Sequence, residues 1–165
     1  MRNFLPVTVF FLYPLILFAE LKSFPYDGCY SKRHSVIYFD KTAQYRRISK
    51  LNGLYLKTLP DGRVRTGIFL TFSNYYVCQF TGTGRWDGKE LVVPDPYPEL
   101  RQFPNLPPCE LTINFTDDLA VISESKGSCQ DYCGAGGTLD GAVFPLSRGR
   151  RACRPNYLNK LLSSQ

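Results

Sequence analysis

Six cysteines follow a short cationic start and an uncharged apolar run, and this pairing constrains the fold more than any other feature of the chain. Met1, Arg2 and Asn3 lead into Phe4 to Ala19, which carries no charge, and Glu20 ends the run. That is the layout of a secretory signal peptide, expected over residues 1–23 with cleavage after Ala19 or Ser23. The run is 16 residues long and holds Pro6 and Pro14, whereas a spanning helix needs about 18 apolar residues or more, so no transmembrane anchor is expected. The protein is therefore expected to be secreted or periplasmic. Cys29, Cys78, Cys109, Cys129, Cys133 and Cys153 all lie beyond residue 23, and an even count in an oxidising compartment reads as three disulfides.

Other uses of these thiols fit less well. Gln130, Asp131 and Tyr132 separate Cys129 from Cys133, a wider gap than that of thiol redox motifs. His34 is the only histidine, so a zinc site of mixed thiolate and imidazole ligands lacks material. No metal or cofactor is expected. Cys109 begins, and Cys129 follows, a hairpin turning at Asp117 and Asp118, which brings the two together. Cys78 at an inward strand position then pairs with Cys133, and Cys29 with Cys153 by elimination.

Residues 24–165 suffice for one domain and are too few for two sizeable cores. Their dominant signal is short strands broken by turns. Leu54 and Leu56 precede Pro60, Asp61 and Gly62, after which Val64, Thr66 and Ile68 resume, a hairpin pattern. Tyr75 to Phe80 reads as a strand, Thr81 to Asp87 as a glycine-containing loop, and Glu90 to Val93 as the next strand. Six prolines between residues 94 and 108 mark a long loop. Cys109, Leu111, Ile113 and Phe115 alternate with Glu110, Thr112 and Asn114, so this strand should have one buried and one wet face. Leu119 to Ser123 returns from it, a last strand lies near Gly141 to Leu146, and Asn156 to Leu162 suggests a short C-terminal helix. Gly28 before Tyr30 and Gly141 before Phe144 place glycines where strands of a barrel must bend. The expected fold is all-β: a small antiparallel β-barrel, lipocalin-like or lysozyme-inhibitor-like, stapled by disulfides.

The run Cys109, Glu110, Leu111, then Cys129, Tyr132, Cys133, Gly134, then Leu139, Asp140, Gly141, with Cys78 before Phe80, resembles the short β-rich domain of bacterial periplasmic proteins of the LprI-like lysozyme-inhibitor kind. The resemblance covers roughly residues 75–145. It implies a β-fold in the periplasm and, as a function, inhibition of a cell-wall hydrolase such as lysozyme.

Charge bears on that expectation. Residues 24–165 hold 18 Lys and Arg against 13 Asp and Glu, whereas a target that is itself basic favours an acidic inhibitor. Arg148, Arg150, Arg151 and Arg154 surround Cys153, and Lys32, Arg33, Arg46 and Arg47 lie near the start. A Cys29–Cys153 bridge would bring both clusters together as a positive patch suited to phosphate, a sulfated glycan or lipopolysaccharide. Tyr38, Tyr45, Tyr75 and Tyr76 are candidates for stacking on sugars. Catalysis is not expected: no nucleophile elbow accompanies His34, Gly134 to Gly137 lacks the Lys and Ser or Thr of a phosphate loop, and nothing fixes Asp131 and Asp140 as a carboxylate pair. The sequence thus points to a non-catalytic binding or inhibitor module whose partner is a cell-wall hydrolase or an anionic glycan or lipid of the envelope, with no role in nucleic-acid binding. The alternative is a structural or virulence-associated envelope protein without a soluble ligand.

Overall fold

The computed structural model describes residues 23–42, 44–100, 105–126, 129–133 and 136–146, the side chains of residues 125 and 126 excepted. Eight strands run in the order of the chain: β1 (Gly28–Phe39), β2 (Tyr45–Thr58), β3 (Val64–Thr71), β4 (Val77–Trp86), β5 (Glu90–Pro94), β6 (Glu110–Phe115), β7 (Leu119–Lys126) and β8 (Val143–Pro145). Each pairs antiparallel with the next. The three residues of β8 come alongside β1, and the meander curls into a nearly closed barrel.

Period-two alternation turns one side chain in two inward. Leu54 and Leu56 of β2, Val64, Ile68 and Leu70 of β3, Phe80 of β4, Leu91 and Val93 of β5, Leu111 and Ile113 of β6, Ile122 of β7 and Phe144 of β8 are all fully or almost fully buried. An eight-stranded barrel is just wide enough for such side chains to fill it. One end is closed by aromatic rings from the start of the described chain. Tyr26 stacks on Phe115 at 4.2 Å between centroids, and Phe24 meets Trp86 edge-on at 5.4 Å. Such pairs add about 0.5–1.5 kcal/mol each beyond the area they bury.

Two disulfides staple the far side of the barrel, Cys109–Cys129 and Cys78–Cys133, the two pairs expected from the sequence. Cys29 is also disulfide-bonded; Cys153, its expected partner, lies outside the described residues, as do the signal segment up to residue 22 and the C-terminal helix expected over Asn156 to Leu162. Asp95 ties the proline-rich loop to the staple. Its carboxylate accepts hydrogen bonds from the Tyr97 N–H at 3.0 Å, the Cys109 N–H at 3.3 Å and the Tyr132 hydroxyl at 2.5 Å.

Three sequence expectations are corrected. Thr81 to Trp86 is strand, not loop, and the turn is confined to Asp87–Lys89. A Cβ on Gly84 would collide with the Val92 carbonyl oxygen and lie 2.8 Å from a Val93 methyl, so this glycine marks close approach of β5 and not a break in the strand. Tyr75 belongs to a 3-10 turn, Ser73–Tyr75, in which Asn74 and Tyr75 take positive φ, and β4 starts only at Val77. Thr112, expected on a wet face, is buried, whereas Phe115 is only half-buried.

Candidate binding face

With the barrel interior filled, the candidate for recognition lies outside it. β1 and β2 pair along their whole length, from Gly28↔Leu56 to Phe39↔Tyr45. The β2–β3 ladder stops at Gly53↔Phe69. Residues 45–52 of β2 therefore have β1 on one side and no β3 on the other, and they continue beyond the barrel as a two-stranded ribbon. Residues opposite one another in an antiparallel pair share a face, so the register sorts the ribbon's side chains into two sets.

One set faces the barrel. His34, Val36 and Tyr38 of β1 lie opposite Lys50, Ile48 and Arg46 of β2. The chain leaving β3 passes across this face and holds it. The Thr71 N–H donates to Asn52 Oδ1 at 2.9 Å, His34 Nε2 donates to the Thr71 carbonyl at 2.7 Å, and Ser73 Oγ accepts the Ile37 N–H at 3.3 Å. Because a carbonyl only accepts, the proton of neutral His34 sits on Nε2. Tyr75 covers the end of the face, its ring 5.1 Å from that of Tyr38, with Lys50 Nζ 5.4 Å from its centroid. Val36 is 3% exposed in consequence.

The other set is bare. Arg33 opposite Leu51, Ser35 opposite Ser49, Ile37 opposite Arg47 and Phe39 opposite Tyr45 are all exposed. Phe39 is 52% and Tyr45 78% exposed, although their rings contact one another edge-on at 5.0 Å. The solvent face of an antiparallel sheet is normally polar; here four large apolar side chains share it with two arginines and no carboxylate. Neither Arg33 nor Arg47 has an ion pair among the described residues. Four residues of strand separate their pairs, about 13 Å at 3.3 Å per residue.

Asp40 is the only acidic residue between positions 32 and 50, against Lys32, Arg33, Lys41, Arg46, Arg47 and Lys50. It is committed to the ribbon's turn. It accepts hydrogen bonds from the Thr42 hydroxyl at 2.6 Å, the Arg46 Nε at 2.7 Å and the Gln44 N–H at 3.1 Å. The Thr42 hydroxyl first, then Arg46, holds its carboxyl down to about 2. The Asp40 charge is thus spent locally on Arg46, leaving the arginines of the outer face uncompensated.

Compared with protein-family models, curated proteins and solved structures, the chain finds no match.

The residues singled out in the sequence are distributed as follows. Arg33 and Arg47 meet on one face, Arg46 is turned to the other, and Lys32 lines a recess of about 250 Å³ between β1 and the segment leading into β8, together with His34, Asn52 and Asp140. Of the four tyrosines proposed for stacking, only Tyr45 stands on the outer face; Tyr38 and Tyr75 pack on each other and Tyr76 lies against Gly136. Asp140 accepts the Glu124 N–H at 3.1 Å, bracing β7, and lines the recess, whereas Asp131 does not line it. Gly137 is a close-approach residue, since a Cβ there would lie 2.8 Å from the Cys78 sulfur. Arg148, Arg150, Arg151 and Arg154 lie outside the described residues. Ile37, Phe39 and Leu51 went unremarked in the sequence. Their odd-numbered spacing with Arg33, Tyr45 and Arg47 carries the signal, once the segment is known to be strand.

Proposed function

We propose that this protein is an exported, non-catalytic binding module that grips an anionic component of the cell envelope with the outer face of the β1–β2 ribbon. The observation that carries this reading is the composition of that face: two arginines without acidic partners, set among four exposed apolar side chains. Guanidinium groups suit phosphate and sulfate oxygens because their donors form a planar fork. Disulfides fit an oxidising compartment, which supports secretion or a periplasmic location. The filled barrel supports surface recognition over carriage of a small molecule inside it. A basic hydrolase would meet like charge on this face, so the ribbon favours an anionic envelope component over lysozyme as the target.

The test is retention on immobilised dextran sulfate, compared between Arg33→Ala/Arg47→Ala and Lys57→Ala/Lys89→Ala, which removes equal charge from exposed positions elsewhere on the barrel. The reading expects the ribbon variant to elute at distinctly lower salt than the control variant. Equal elution of the two variants would assign retention to net charge and overturn it.

A further inference from the structure

The ribbon's outer face also indicates which kind of anionic surface it meets. We infer that the face is a membrane-docking surface that lies on a bilayer rich in anionic lipid headgroups, an inference that rests on the function proposed above and narrows it. Three observations select this occupant. First, the face is two strands wide and spans about 20 Å from Arg33 to Phe39 at 3.3 Å per residue, with all of its exposed side chains on one side of the ribbon. Second, it combines aliphatic Ile37 and Leu51 with aromatic Phe39 and Tyr45, 40%, 41%, 52% and 78% exposed. A sugar polymer is served by flat rings and gains little from the branched aliphatic pair, whereas the boundary between headgroups and acyl chains accepts both kinds. Third, the cations are set back from the tip. Phe39 and Tyr45 form the last pair, and Arg47 and then Arg33 follow towards the barrel. Inserted rings and headgroup-bound guanidiniums can therefore be satisfied at once.

Charge excludes a second copy as the occupant. Two such faces stacked on each other would bring four arginines together with no carboxylate among them. The rigidity of the ribbon also favours docking. Its inner face is already anchored by His34, Asn52 and Tyr75, so no ordering of the strands has to accompany binding.

The experiment uses the full chain with vesicles of phosphatidylglycerol and phosphatidylcholine in equal parts, vesicles of phosphatidylcholine alone, and dextran sulfate as a soluble polyanion. Wild type is expected to co-sediment with the anionic vesicles and not with the neutral ones. Phe39→Ala/Tyr45→Ala is expected to lose vesicle partition by about tenfold or more while keeping its retention on dextran sulfate. Arg33→Ala/Arg47→Ala should lose both, with vesicle partition falling about thirtyfold, since each basic residue contributes about a fivefold factor at an anionic surface. A Tyr45→Trp chain should show a blue-shifted emission component that brominated acyl chains quench, absent from wild type. Vesicle binding unaffected by Phe39→Ala/Tyr45→Ala, or retention on dextran sulfate with no vesicle binding, would overturn the membrane assignment and leave the anionic-target function standing. Saturable binding of an acidic envelope protein in place of vesicles would do the same. Absence of binding to either probe would overturn both.

Discussion

His34 Nε2 lies 2.7 Å from the carbonyl oxygen of Thr71, a residue 37 positions away that leaves β3 to pass across the ribbon's inner face. The contact explains why the single histidine of the chain is where it is. It fastens a segment that has left the β2–β3 ladder. With Asn52 receiving the Thr71 N–H, both backbone polar groups of that residue are satisfied by side chains of the ribbon.

Replacing His34 by Ala is expected to cost about 1–3 kcal/mol, the usual penalty for leaving a buried carbonyl without its partner. It should also accelerate amide exchange at Val36 to Tyr38 and Ile48 to Lys50. Urea titration with hydrogen-exchange mass spectrometry measures both; unchanged exchange in these segments would mean that the crossing chain does not hold the ribbon.

The two described disulfides should differ in worth. Cys109–Cys129 closes a separation of 20 residues and Cys78–Cys133 one of 55, so loop-closure entropy assigns them about 3 and about 4 kcal/mol. Paired Cys→Ser variants measured by urea unfolding should keep that order, and a larger loss from the 109–129 pair would reveal structure in the unfolded chain around the hairpin.

Much of this scaffold is legible in the chain. The turn at Pro60 to Gly62 and that at Asp117 and Asp118 announce themselves because turn-forming residues interrupt period-two alternation, and the cysteines flanking the second turn follow from it. Gly82 and Gly84 mislead because a glycine that admits a neighbouring strand and a glycine that breaks one are the same letter; only the Val92 carbonyl and the Val93 side chain beside it tell them apart. The ribbon is hidden for a different reason. From Ser31 to Asn52 the outward positions are as apolar as the inward ones, so hydrophobic periodicity cannot announce a strand there. The same irregularity is what makes the face a candidate for binding.

Gly84→Ala provides a check on the corrected boundary of β4. If the strand runs through to Trp86, the added methyl meets the backbone of β5 and should cost about 1–3 kcal/mol. A thermal melt unchanged from wild type would return the segment to the status of an exposed loop.

Tyr132 links the fold to alkaline pH. Burial first, and then its hydrogen bond to the Asp95 carboxylate, holds the phenol well above its usual range. The unfolded chain releases that proton near pH 10 while the folded chain retains it. The contribution is therefore complete below about pH 10 and is lost as pH rises beyond it. Tyr132→Phe is expected to be less stable than wild type at pH 7 by about 1–2 kcal/mol, with the gap narrowing above pH 10 in pH-dependent melts. A gap that widened with pH would contradict the assignment.

Arginine footprinting reads the outer face of the β1–β2 ribbon residue by residue. Phenylglyoxal modification of the full chain, mapped by mass spectrometry, is compared with and without saturating anionic vesicles or dextran sulfate. Arg33 and Arg47 lie on the bare face of the ribbon, whereas Arg85 is exposed on β4. The expected result is strong slowing at Arg33 and Arg47 with the rate at Arg85 unchanged; slowing at Arg85 equal to theirs, or no slowing at Arg33 and Arg47, would contradict the ribbon as the binding face.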